Sequence, residues 1–443
     1  MQTEKQINKQ IESVSVEDWK RLFDLIPKIQ QKKTFGILKG GVPDSKGIIQ
    51  FPYFDLDKVV LEFSDLMYEL NLVINFDWAN WAYDLNNLKG KDFKNTDTIT
   101  LLKILTAIIR ADRFNEGLLV TTFEDRIIEK ALVKLKNNIM KTNIQELKKK
   151  FNTNYRDPTQ FAEKARLLQS IWRTEKGYDF EKYGNFLELE FAKKTGANFL
   201  TKNIFEIVKQ EVKDKQEKRK VIQEPRIWNN LLSSQPLAFN LFGELNTGTA
   251  TKIFKHLFPE RKILKVTDIK FEHSPGRKNP KYTGDSSAFD VFVEYENEAK
   301  ENGFFGIEVK YAESLNDKPS SPKTTYENIS RESKIFDMKN LPKLKAKPIQ
   351  QIWRDHLLTL SLFITNNDYS TGDFIYLYPK DNKNCVVAIE KYQETFNPLV
   401  ESFFKPLTIE KLTEVIKLYC KEKWINDFED RYLKFEKIEM ASR

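Results

Sequence analysis

Three side chains in one short stretch have the types and spacing to do chemistry. Asp290 opens an apolar run, Asp-Val-Phe-Val-Glu-Tyr, and Glu308 and Lys310 stand two residues apart in the next, Gly306-Ile-Glu-Val-Lys-Tyr311. Side chains alternate along a strand, so Glu308 and Lys310 are expected on one face. A carboxylate in a buried strand is costly unless it meets a cation. Asp290 and Glu308 together offer the hard oxygen ligands that Mg²⁺ or Mn²⁺ prefers, with positions left for water and phosphate. Lys310 cannot ligate while protonated; its expected role is to orient or activate an attacking water and offset charge in the transition state. Glu-x-Lys alone would equally suit an exposed ion pair on an edge strand. Phe304, Phe305, Ile307, Val309 and Tyr311 around it, and the Asp before it, argue against that.

Other residues gather near these three. Glu272 ends the preceding strand-like run, which in an antiparallel meander lies beside Asp290; it is expected as a third metal ligand or a holder of bound water, or equally as a surface acid in a loop. Arg354, on the helical run after the third strand, is a candidate phosphate clamp. His356 reads as a packed, hydrogen-bonded residue. With only three His in the chain, a His-based metalloenzyme is a poor reading.

These residues need elements to hold them. Residues 1 to about 140 read mostly as helix, with helically spaced apolar runs at 56–73, 99–110 and 127–139 and turns at Gly40-Gly41 and Gly90. A charged, apolar-poor stretch at 141–160 is the expected linker, between a helical domain over 1–145 and a second domain over 160–443. The second begins with helical patterns at 162–174, 181–195 and 203–219, the last running into a charged stretch at 211–220. Further helical patterns cover 226–245 and 249–257. Strand-like runs follow at 263–272, 289–296 and 304–311, then a Pro- and Ser-containing loop at 317–323. The helix expected at 348–364 buries Ile349, Ile352, Trp353, Leu357 and Leu360. Strand-like segments at 374–378 and 385–389 precede the closing helices. The fold class is mixed α/β, with a core over about 226–390 ordered helix, three strands, helix, strand.

Composition sets outer bounds. A chain of 443 residues calls for two or three cores, and 40% hydrophobic residues with 33 Phe can build them. The net charge of +8 is compatible with a polyanionic partner but is spread along the whole chain. Two cysteines, Cys385 and Cys420, make neither a disulfide framework nor a Cys-rich zinc site. The N-terminal residues lack an apolar signal, and no run approaches the roughly 20 apolar residues of a membrane span. The expected location is cytoplasmic, with no membrane partner.

The Asp…Glu-x-Lys pattern resembles the active site of the PD-(D/E)XK nuclease superfamily, whose αβββαβ core has the element order above. Residues 165–400 resemble a bacterial branch of restriction-type endonucleases within it. The matching stretches include Arg166-Leu-Leu-Gln-Ser-Ile-Trp-Arg173, Leu232-Ser-Ser-Gln-Pro-Leu-Ala-Phe-Asn-Leu-Phe242 and Phe271-Glu-His-Ser-Pro-Gly-Arg277. They continue with Ser287-Ala-Phe-Asp-Val-Phe292 and Gln351-Ile-Trp-Arg-Asp-His-Leu357. Ala288-Phe289 replaces the proline that gives the superfamily its name. The resemblance implies an intact catalytic set of Asp290, Glu308 and Lys310. It also implies a supporting glutamine at Gln351, with Gln350 as its neighbour and rival. The first core helix of many members carries an active-site Glu; here Glu244, Glu188 or the Ser233-Ser234-Gln235 motif could serve, with Gln235 a substrate contact.

Residues 75–135 resemble a separate bacterial domain of unknown function through Phe76-Asp77-Trp78, Trp81 and the run Leu105–Phe114 with Glu116-Gly117. Arg110, Asp112 and Arg113 within that run read either as a phosphate or partner contact or, preferably, as a salt-bridge network at a helix end. The resemblances imply a Mg²⁺- or Mn²⁺-dependent endonuclease acting on DNA, in restriction or anti-phage defence, with a homodimer expected if both strands are cut. The alternatives are a nucleic-acid-binding protein that does not cut and a latent effector gated by the N-terminal domain.

Overall fold

The structure is a computed structural model, and it describes residues 1–443 except 44, 46, 82–87, 91, 216–219, 221, 316–320, 366, 367, 442 and 443. Part of the charged run at 211–220 and most of the loop at 317–323 therefore lie outside the described residues. The chain forms two compact units, one of residues 1–147 with 439–443 and one of residues 148–438.

The first unit is helical around a single apolar cluster, with a two-stranded hairpin of β1 (Gly36–Lys39) and β2 (Tyr53–Leu56). Its central helix, Thr98–Ala111, buries Leu101, Ile104, Leu105 and Ile108, a helically spaced set. Asp97 caps that helix, accepting the Thr100 N–H at 2.9 Å. The salt-bridge network expected among Arg110, Asp112 and Arg113 is not formed. Asp112 accepts the backbone N–H of Leu119 at 2.8 Å, which closes the next turn, and Arg113 donates to the Tyr68 hydroxyl at 2.9 Å. A helix of 24 residues, Ile127–Lys150, occupies much of the stretch expected as a linker. Lys, Glu and Leu are strong helix formers, and Leu147 is buried.

In the second unit, a short hairpin of β3 (Phe180–Lys182) and β4 (Phe186–Leu187) stands where helix was expected from 181, and the helix begins at Leu189. The pattern at 226–245 is two helices, Arg226–Asn229 and Ser234–Phe242. The Asn230 side chain accepts the Leu232 N–H at 3.1 Å, a local turn that competes with helix continuation.

The main sheet has five strands in the order β5 (Ile263–His273), β6 (Phe289–Asn297), β7 (Asn302–Val309), β8 (Thr371–Tyr378) and β9 (Phe404–Thr408). The first two pairings are antiparallel and the last two parallel. Helices Thr324–Ser333 and Gln350–Thr365 make the crossover from β7 to β8. The pleat sorts the side chains. Val291, Val293, Phe305, Ile307, Val309, Ile375 and Leu377 join one core with helices Ser234–Phe242 and Thr247–Leu257. Phe292, Phe304, Phe374 and Tyr376 join the other, with helix Gln350–Thr365. Both faces are covered, which accounts for the nearly continuous apolar character of β6 and β7.

The mixed α/β class and the order helix, three strands, helix, strand are as expected. The strand expected at 385–389 is instead part of the helix Lys383–Gln393. Its buried residues Cys385, Ala388, Ile389 and Tyr392 follow helical spacing, and Asn382 caps it through the Cys385 N–H. The fifth strand is β9, whose Pro406 suits its place at the sheet edge. Among the described residues no helix is long and apolar enough to cross a membrane.

Candidate active site

The sheet register brings the sequence-separated carboxylates together. The β6–β7 register ends with Val291 opposite Ile307, and just beyond it the Asp290 carboxylate reaches the end of β7. Glu308 pairs with Tyr376 and lies on the face of Phe292 and Phe304, against which helix Gln350–Thr365 packs. Lys310 lies one residue past β7 but continues its ladder, donating its N–H to the Leu377 carbonyl at 2.8 Å. A glycine permits the local packing. A Cβ at Gly306 would stand 2.4 Å from the Phe289 ring, so the ring can lie against β7 one position from Asp290 only because that side chain is absent.

The polar contacts are close. Asp290 Oδ2 accepts the Val309 backbone N–H at 2.7 Å. Glu308 Oε1 accepts from Lys310 Nζ at 2.6 Å and from Gln351 Nε2 at 3.2 Å. Asp290, Glu308, Lys310, Gln351, Gln350, Gln235 and Arg354 all line one cavity of about 400 Å³. Glu308 and Lys310 are nevertheless only 7% and 5% exposed, so they work in a poorly hydrated setting.

Glu272 is buried, not a surface acid. It sits on β5 with φ of +51°, a left-handed conformation costing a non-glycine residue about 1–2 kcal/mol. The Gln235 side-chain amide donates to its carboxylate, and Gln235 rather than Glu272 faces the cavity. The first core helix thus contributes Gln235. Glu244 is turned away, accepting from Thr201 and, at 3.1 Å, from Asn203 Nδ2. Glu188 caps the helix Leu189–Thr195 through the N–H groups of Glu190 and Phe191. Arg354 donates to the neighbouring Asp355 at 3.3 Å. His356 is buried among aromatic rings and touches the Tyr392 hydroxyl at 2.9 Å, away from the cavity.

The electrostatics describe a site short of positive charge. Burial, then the nearby Glu308 and Glu272 carboxylates, push the Asp290 carboxyl well above the usual range. Burial carries Glu272 up to about 8, against the opposing Gln235 hydrogen bond. Burial and Glu308 raise Asp355 to about 7. Burial also works against the Lys310 ammonium, but Glu308, Glu313, Asp290 and Asp355 together outweigh it and hold the lysine above its ordinary value. With no cation on these carboxylates, Lys310 is therefore held as a charged hydrogen-bond donor. Among the described residues no group of three or more His, Cys, Asp or Glu side chains forms a ready metal cage. The Asp290 and Glu308 carboxylates, both lining the cavity, still fit a cation such as Mg²⁺, which keeps several waters and takes one or two protein carboxylates.

The sequence reading passed over Arg226, Glu313 and Lys347, which also line the cavity, and Asp355, buried beside Arg354. Only Asp355 had a signal, its place in the Gln351–Leu357 motif.

Two carboxylates and a charged lysine from neighbouring strands thus line one cavity with a glutamine delivered from the crossover helix. The model of the PD-(D/E)XK nuclease superfamily matches residues 156–434, and the chain belongs to that superfamily. Residues 14–141 match a family of unknown function (DUF6508). No curated protein and no solved structure matches the chain at a significant level. Membership implies nuclease activity on a nucleic acid, with a divalent metal typical of the superfamily.

Proposed function

We propose that the protein is a Mg²⁺- or Mn²⁺-dependent endonuclease that hydrolyses DNA phosphodiester bonds, in restriction or anti-phage defence, with the nuclease domain over about 160–443 and the helical domain over 1–145. The observation that carries this is the meeting of Asp290, Glu308, Lys310 and Gln351 on one wall of the cavity. Asp290 and Glu308 would hold the cation, which when bound would lower the cost of charge on the scissile phosphate and help form the nucleophile. Lys310, kept protonated by its carboxylate neighbours, donates to the attacking water or to a phosphate oxygen as charge develops. Gln351 fixes the Glu308 carboxylate and can share its amide with the same water. Gln235, which holds the Glu272 carboxylate, also lines the cavity, and Arg354 would clamp a phosphate. A homodimer would present one such site to each strand.

The test is cleavage of plasmid and linear DNA, including modified DNA, with Mg²⁺ or Mn²⁺. Metal-dependent cutting by the wild type that is lost in Lys310→Ala supports the reading. DNA binding without cutting by either protein overturns it in favour of a non-cleaving or latent effector.

A further inference from the structure

The first unit presents an exposed aromatic stack close to two arginines, for which the nuclease reading has no use. After helix Thr98–Ala111 the chain turns through 112–117, and Phe114 projects from that turn 83% exposed. An apolar ring in water is unfavourable, and a loose loop would let it fold back. This loop is not loose. The N–H groups of Phe114 and Asn115 both bond the Ala111 carbonyl, at 2.9 and 3.0 Å. Asp112 holds the Leu119 N–H, and Glu116 accepts the Phe54 N–H at 3.1 Å. Gly117 sits at φ of +84° against the Phe54 ring, where a Cβ would come within 2.4 Å. One edge of the display is shared with a second ring, because Trp78 stacks on Phe114 with centroids 6.2 Å apart and planes at 26°.

The charges around this pair are uneven. The unit's other two arginines are paired, Arg21 with Glu69 and Arg126 with Glu129. Among the described residues no carboxylate pairs with Arg110 or Arg113, on either side of the helix end; Arg113 meets only the neutral Tyr68 hydroxyl. The acids close in sequence keep their charge but turn an oxygen to the backbone. Asp77 accepts the Asn80 N–H, Asp112 that of Leu119 and Glu116 that of Phe54. Two guanidinium groups without an ion-pair partner among the described residues thus lie within four residues of Phe114, whose ring is part of a fixed, exposed aromatic stack.

We propose that this surface binds single-stranded nucleic acid, an unstacked base lying on Phe114 beside Trp78 and the adjoining phosphates meeting Arg110 and Arg113. Stacking on a rigid ring is tolerant of sequence because every base has a π face, and arginine supplies both charge and a planar hydrogen-bond fork. The openness of the ring favours a polymer over a free nucleotide, since an open surface recovers little of the freedom a small ligand loses. The site lies in the first unit and does not depend on the nuclease reading.

The test uses the full chain in EDTA, so that no cutting occurs, with a dT-rich oligonucleotide carrying 5-iododeoxyuridine. Photocross-linking is expected to label the peptide containing Phe114 or that containing Trp78. Phe114→Ala should weaken binding of the unmodified oligonucleotide about tenfold, while Phe114→Tyr, which keeps the ring, retains it. Arg110→Ala with Arg113→Ala should reduce the slope of log affinity against log salt by about 1.4, roughly 0.7 per lost contact. Cross-links confined to the second unit would overturn the proposal. So would equal losses in Phe114→Ala and Phe114→Tyr with a lowered melting temperature, which mark a merely structural ring, or preference for free mononucleotide over the oligonucleotide.

Discussion

Lys310 donates to Oε1 of Glu308 at 2.6 Å across a spacing of two residues, and the same oxygen receives the Gln351 amide. One carboxylate oxygen is thereby fixed by two donors, while the cavity on which it opens is left for substrate. The ion pair is buried, so removing the cation leaves a carboxylate without compensation, which costs far more than the pair itself contributes.

Lys310→Ala is therefore expected to act twice. Cleavage should fall by about 10²–10³-fold, the loss seen when one donor to developing charge is removed. The metal-free protein should also unfold at lower denaturant. A variant that cuts DNA at the wild-type rate would remove Lys310 from the reaction.

Metal should stabilise the chain by mass action. At ten times its dissociation constant a cation adds about 1.4 kcal/mol, read as a rise in melting temperature with Mg²⁺. Asp290→Asn should abolish that rise, because Asp290 lines the cavity with Glu308. Glu272→Gln should keep most of it, since Gln235 stands between Glu272 and the cavity. If Glu272→Gln loses the metal response as fully as Asp290→Asn, Glu272 is a direct ligand.

Much of the site was legible because period-two patterning fixes a face. Once residues 304–311 read as a strand, the shared face of Glu308 and Lys310 followed from alternation, and Asp290 at the start of the neighbouring run completed the group. The glutamine on the crossover helix came from resemblance, and Arg226 and Lys347 had no local signal, since tertiary packing alone carries them to the cavity. The residues 385–389 misled because Cys-Val-Val-Ala-Ile is strand-like in composition, whereas its burial follows i, i+3, i+4. Arg110 and Arg113 misled in another way: proximity to Asp112 in sequence suggested pairing, but a backbone amide claimed the carboxylate.

Gly306→Ala tests the packing that sets the register. Its Cβ would press on the Phe289 ring, and overpacking of this kind costs about 1–3 kcal/mol. Phe289→Leu in the same chain should recover part of the loss, a coupling measurable by a double-mutant cycle. Additive losses would mean that the ring does not transmit the clash.

Acid should unfold the second unit partly through His356. Burial among Phe336, Phe374, Phe396 and Phe404 pushes its imidazole down to about 3, from an ordinary value of 6.5. The folded state thus binds the proton more weakly than the unfolded state. The sign follows: the stability held by the neutral ring is complete above pH 6.5 and drains as pH falls from there toward 3. One proton corresponds to about 1.4 kcal/mol per pH unit in that window. His356→Gln, which can still reach the Tyr392 hydroxyl, removes the titrating group. Denaturant unfolding at pH 7, 6, 5 and 4 should therefore show a shallower pH slope in the variant, whatever its stability at pH 7. Parallel slopes would mean that the ring is already protonated in the fold or accepts a proton there without cost.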